Sequence, residues 1–134
     1  MRTTWMLPCV AILGCTALSG CGSSLADPVA DRTRHFYAAI ASGDASAACD
    51  DLAPRARAQL ESDEGGACAD VILDHHLSAA MGQPSVEVYG AMAQVTYPDD
   101  TAFLSRFDHV WLLIAVGCTP TPADQPYDCL IEVG

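Results

Sequence analysis

The period of the hydrophobic pattern changes once, near Ser85, and that change limits the fold more than any other feature of the chain. Before it, apolar residues recur at helical spacing. Asp27-Pro28 supplies an N-cap acceptor and a proline for the first helical position, Val29, Phe36 and Ile40 follow, and Gly43 marks the end. Asp44 predicts the cap of a short second helix through Ala48, Cys49 and Leu52, and Pro54 opens a third that carries Ala56 and Leu60. Beyond the polar break Ser62-Asp63-Glu64-Gly65-Gly66, a fourth helix is predicted from Ala67 to about Leu77, with Val71 and Ile72 inward. After Ser85 the pattern alternates. Val86-Glu87-Val88-Tyr89 and Ala93-Gln94-Val95-Thr96-Tyr97 flank a turn at Gly90, while residues 101–107 and 110–116 flank Asp108-His109, a link of hairpin length. Residues 129–133 read as a last short strand. The segment 110–116 is apolar on both faces, which predicts the most buried strand, covered by helices on one side and by a ligand, a partner or more sheet on the other. Helices first and antiparallel strands after define an α+β domain, with N-terminal helices packed on a curved antiparallel sheet.

The chain has 134 residues, enough for one domain once a leader is removed. With 51% hydrophobic and 17% charged residues it has the material for a packed core. Seventeen acidic residues against six basic ones give a net charge of −11, and all six basic residues are arginine. A phosphate backbone is repelled by such a chain, which argues against nucleic acid as a partner.

At the start, Arg2 and the amino terminus supply positive charge, and the 14 residues from Trp5 to Leu18 carry none. That stretch contains Pro8 and falls short of the roughly 20 apolar residues that span a bilayer. Leu18-Ser19-Gly20-Cys21 follows, an aliphatic residue and two small ones ahead of a cysteine, and it resembles the lipobox of bacterial lipoproteins. The resemblance implies cleavage after Gly20, acyl chains on Cys21, and anchoring to the cell membrane on its extracytoplasmic side. A second candidate, Ile12-Leu13-Gly14-Cys15, has a bulky Leu13 and leaves too short an apolar region. The expected organisation is a leader over residues 1–20, a lipidated tether over 21–27 and one domain over 28–134. Two or three acyl chains suffice for stable anchoring. The remaining chain carries 17 acids and five arginines, so the lipid and not charge is expected to hold it to the membrane.

Cys9 and Cys15 fall in the leader, and four cysteines lie in the body. In an exported chain these imply disulfides, for which three connectivities exist. Cys49 with Cys68 and Cys118 with Cys129 are the expected pairs, because each closes a short segment within one local region. The segment between the second pair holds Pro120, Pro122 and Pro126, and regular hydrogen bonding does not hold it. No pair has the two-to-four-residue spacing of a zinc clip.

The order His35-Phe36-Tyr37-Ala38-Ala39-Ile40, Gly43-Asp44, the helical cysteine pair, the hairpins, and Val116-Gly117-Cys118-Thr119-Pro120 ahead of Tyr127-Asp128-Cys129 resembles actinobacterial lipoproteins of the nuclear transport factor 2-like (NTF2-like, SnoaL-like) cone fold. The resemblance covers most of the chain after the leader. It implies a sheet wrapped around the first helix, with a pocket that relatives use for catalysis, ligand binding or subunit contact. The chain is short after Cys129, so a truncated last strand and a shallow pocket are expected.

Phe36, Tyr37 and Trp111 are the residues expected to line such a pocket, although aromatics at these positions also serve as plain core. Asp31 and His35 lie four apart on the first helix, a spacing that lets a carboxylate orient an imidazole as general base. An exposed ion pair is the plainer reading of the two. His75 and His76 diverge by about 100° on a helix and do not chelate one metal easily, and placement near the helix C-terminus beside Asp70 or Asp74 is expected. His109 is expected to face solvent. Asp99-Asp100 lacks the rhythm of a calcium loop, and no nucleophile elbow, phosphate loop or metal-binding helix is present, so no cofactor or metal is expected. The expected function is a membrane-anchored, non-enzymatic domain that binds a small hydrophobic ligand or an envelope protein. The alternative is a small isomerase or cyclase using the cone pocket. No motif sets an oligomeric state.

Overall fold

The computed structural model describes residues 23–78 and 80–134. The lipobox residues Leu18, Ser19, Gly20 and Cys21 lie outside the described residues. The order is helices then strands, as the change of period predicts: α1 (Ser23–Ser42), α2 (Ala45–Asp51), α3 (Pro54–Glu64), α4 (Cys68–Val71) with a 3-10 turn (Ile72–His75), then β1 (Ser85–Tyr89), β2 (Met92–Tyr97), β3 (Asp100–Phe107), β4 (Val110–Thr119) and β5 (Asp128–Glu132).

α1 begins one turn earlier than Asp27-Pro28 suggests. Pro28 sits inside the helix, where it removes the hydrogen bond to the residue four before it. Because the first four N–H groups of a helix have no partner anyway, a proline this close to the end costs one bond and does not define the start. The expected tether over 21–27 is therefore largely helical from Ser23. Val29, Thr33, Phe36 and Tyr37 recur at helical spacing and are all buried. Thr33 satisfies its hydroxyl on the Val29 carbonyl at 2.9 Å.

Asp44 caps α2 by accepting from the Ala47 N–H at 3.1 Å, and Pro54 occupies the first turn of α3, as expected. The fourth helix departs from its prediction. Only one α-turn forms from Cys68, and the chain tightens into the 3-10 turn until His76 takes a left-handed conformation. The Cys49–Cys68 disulfide ties this turn to α2. Ile72 is fully buried there.

The five strands form one antiparallel sheet in the order β1-β2-β3-β4-β5, each paired with its neighbour in sequence. Ala93, Val95 and Tyr97 of β2 are buried against the helices and alternate with Met92, Gln94 and Thr96 on the other face. Two register shifts between β3 and β4 insert residues into β4 and curve the sheet. Asp108 and His109 both have positive φ, the geometry of a tight two-residue hairpin turn, and both are exposed. β5 pairs only with residues 115–119 of β4. Further down that edge the α2–α3 junction takes over: Leu52 bridges Leu113, and the Ala53 N–H donates to the Leu113 carbonyl at 2.7 Å.

On β4, Trp111, Leu113 and Val116 are buried, whereas Leu112 and Ile114 on the second face are half-buried and Val110 is exposed. The second face is thus partly covered, and part of the cover comes from the segment between β4 and β5. Tyr127 packs edge-on against Phe103 with ring centroids 5.1 Å apart, held by the Cys118–Cys129 disulfide at the base of its loop.

Candidate functional site

Two buried carboxylates organise the space between α1 and its neighbours, and neither belongs to a motif. The first is Asp100, the opening residue of β3. The turn at Pro98-Asp99 places it under the C-terminal half of α1, where the Tyr37 hydroxyl donates to its Oδ2. The backbone N–H groups of Thr101 and Cys118 also donate to it. Burial nevertheless pushes the Asp100 carboxyl above its ordinary range, because removal from water disfavours the charged form more than these donors favour it. Tyr37 is likewise raised, first by burial and then by the neighbouring carboxylate.

Tyr37 also accepts from the Gly117 N–H. Gly117 holds φ +67°, and a Cβ there would lie 2.8 Å from Leu77 and 2.9 Å from Leu130, so both its conformation and its surroundings require glycine. Tyr97 stacks edge-on against Tyr37 with centroids 5.8 Å apart, and burial raises its phenol too.

The second carboxylate is Asp51, the last residue of α2 and 1% exposed. Arg32 reaches its Oδ1 and His35 Nδ1 its Oδ2. Arg32 and His35 are three apart on α1 and share one face, so the helix offers both donors to one acceptor. A buried carboxylate held by two donors fixes the α1–α2 angle.

The residues expected to act together are separated. Asp31 points outward and pairs with Arg34 at 2.8 Å, while His35 turns to Asp51. Local spacing allowed the Asp31–His35 contact, but a buried acceptor outcompetes an exposed one for the imidazole. Phe36, at 0% exposure, and Trp111, at 4%, pack in the core and line none of five surface clefts. The expected pocket of Phe36, Tyr37 and Trp111 is therefore filled by its own lining, and only Tyr37 reaches a cleft edge. That cleft, about 360 Å³, lies between α1 and the Ala80–Gly82 stretch, with Arg34, Ala38 and Tyr97 in its wall. On the other side, Asp100 contributes to a cleft of about 210 Å³ with His76, Asp99 and Asp128. His75 pairs with Glu64 of α3 at 3.4 Å and not with Asp70 or Asp74.

Sequence reasoning missed Asp51 and Asp100. An acid three residues after Ala48 on the same face, at the end of α2 and directly before Leu52, was the available clue to Asp51. Among the described residues no group of three or more histidine, cysteine or acidic side chains is placed to hold a metal ion, and no helix is long and apolar enough to cross a membrane. No known protein family matches the chain, and no curated protein or solved structure matches it.

Proposed function

We propose that this chain is a lipoprotein held on the extracytoplasmic side of the cell membrane by acyl chains on Cys21, and that its body is a non-enzymatic binding domain of the NTF2-like cone type. The four helices on a curved five-stranded sheet and the two disulfides support that reading. The observation that carries the binding assignment is the filled interior. Phe36 and Trp111, which would line the pocket that the resemblance implies, are buried in the core, and Asp51 has its donors supplied from within the domain. Recognition then falls to the surface. The occupant is an envelope protein, or a small hydrophobic ligand lodged in the cleft beside Tyr37 and Tyr97.

A small isomerase or cyclase is the second reading, and Asp100 is the observation that favours it. Its carboxyl is held above the ordinary range beside a tyrosine and reaches a cleft wall, features shared by acid–base catalysts.

Two measurements test the proposal. Cys21→Ala should move the protein out of the membrane fraction, and retention there contradicts the anchor. Native mass spectrometry of the protein extracted from its own envelope should show a second protein or a small molecule bound in stoichiometric amount. A protein recovered bare, with turnover of a carbonyl substrate that is lost in Asp100→Asn, moves the assignment to the enzyme.

A further inference from the structure

From Ala26 to Ala38 every fourth residue of α1 lies along one flank of the helix, and all but Arg34 are alanine. Opposite this flank runs the 80–86 stretch that leads into β1, and two clefts lie between them. One, about 340 Å³, has Asp27 and Ala30 on the helix side with Gln83 and Pro84 across from them. The other is the cleft of about 360 Å³ beside Tyr37 and Tyr97. Arg34 belongs to the wall of both, and Gly82 and Gln83 on the far side are neighbours in sequence, so the two form one furrow along α1. Its helical wall, from Ala26 to Ala41, rises about 22 Å.

The two halves of the furrow differ in chemistry. Asp27 and Gln83 make the half near the start of α1 polar. The other half is mainly apolar, with Ala38 and Ala41 on the helix, Ala80 and Gly82 opposite, and the Tyr37 hydroxyl committed to Asp100. Arg34 stands where the halves join. Asp31 accepts from its Nη2 at 2.8 Å, but both side chains are exposed, and such a pair is weak enough for a second carboxylate to share the guanidinium. The charge on Arg34 opposes the rise that burial gives the Tyr97 phenol, so its field reaches the apolar half. Among five surface clefts, Arg34 is the one arginine in any wall, in a chain whose net charge is −11. An anion therefore meets a cationic wall in this furrow and in none of the other three clefts.

We propose that the furrow binds a small amphiphile with a carboxylate head and an unbranched apolar tail, the chemistry of a medium-chain fatty acid. The inference rests on the reading of the cleft beside Tyr37 and Tyr97 as a ligand site, and it names the class of ligand. The head lies on the Arg34 guanidinium, whose planar fork of N–H donors matches a carboxylate. The tail runs over Ala38 and Ala41 toward Tyr97, where the alanines leave the width of a hydrocarbon chain and its burial supplies the affinity. Asp27, in the polar half beside Arg34, repels a second negative charge, so a monocarboxylate is preferred to a dicarboxylate or a phosphate.

The test uses the full chain in phosphatidylcholine nanodiscs near neutral pH, titrated with octanoate and with octanamide, its uncharged counterpart of equal length. Empty discs give the free concentration of each probe, and the amide NMR signals of Ala38, Ala41 and Ala80 report occupancy of the cleft. Saturable shifts at these residues, with octanoate binding at least about tenfold tighter than octanamide and the preference lost in Arg34→Gln, support the proposal. The Arg34–Asp31 pair is exposed, so Arg34→Gln is expected to fold normally. Equal binding of the two probes, or a preference that survives Arg34→Gln, overturns the carboxylate head and leaves the cleft as a site for hydrophobic ligands. Absence of saturable shifts with either probe overturns the ligand reading of the cleft, and the amphiphile falls with it.

Discussion

The hydroxyl of Tyr37 donates to the carboxylate of Asp100, joining the longest helix to the first residue of β3 across 63 positions of sequence. The pair lies between a tyrosine stack and a glycine in left-handed conformation, so helix, strand and bulged β4 meet at one polar contact.

Tyr37→Phe keeps the ring packing and deletes this donor. A nearly buried carboxylate then depends on two backbone N–H groups, and the expected loss is about 1–3 kcal/mol of stability in urea unfolding. A loss near zero would show that Asp100 does not depend on the phenol.

The elevated Asp100 carboxyl fixes the sign of a pH effect. Its folded value lies above its unfolded one, so its contribution is fully present below about pH 4 and is lost as pH rises through the folded value. Measured against Asp100→Asn, which does not titrate, the wild-type chain should lose relative stability between pH 4 and neutrality. A difference that stays constant or grows with pH contradicts the assignment.

Arg32→Ala and Asp31→Ala remove charges one position apart on α1 with unequal consequences. The first strips a partner from buried Asp51 and should cost about 2–4 kcal/mol, whereas the second breaks an exposed pair and should cost less than about 1 kcal/mol. Thermal unfolding of the two variants side by side gives the comparison, and equal losses would mean that His35 alone suffices to hold Asp51.

The disulfides predict chemistry as well as stability. Alkylation of the denatured, unreduced protein should leave Cys49, Cys68, Cys118 and Cys129 unlabelled, and the double variant Cys49→Ala/Cys68→Ala should be less stable by about 3 kcal/mol. Labelling of two or more of them would disprove the pairing.

What the sequence makes legible is local. Asp44, Pro54, Gly90 and Asp108-His109 mark boundaries through their own backbone chemistry, and the cysteines pair with partners 19 and 11 positions away. The start of α1 is misread because Pro28 carries the same signature whether it opens a helix or sits one turn inside it. The fourth helix is misread because periodicity does not distinguish an α-turn followed by a 3-10 turn from a continuous helix. The two carboxylates are illegible for another reason. Asp100 lies in a turn-like Pro98-Asp99-Asp100, and only tertiary packing turns it beneath Tyr37, while His35 has Asp31 at helical spacing and gives no hint that Asp51 binds it instead.

The two disulfides join the first body cysteine to the second and the third to the fourth. For a chain threaded outward from its amino end, as proposed above, Cys49 and Cys68 emerge and meet before Cys118 has appeared. Each new thiol then finds its proper partner as the nearest one available, and the crossed pairings that would call for thiol–disulfide reshuffling are avoided by order of arrival. Such a chain should oxidise correctly during export even where disulfide isomerase is scarce, and should make more mispaired species when all four thiols are released together from denaturant.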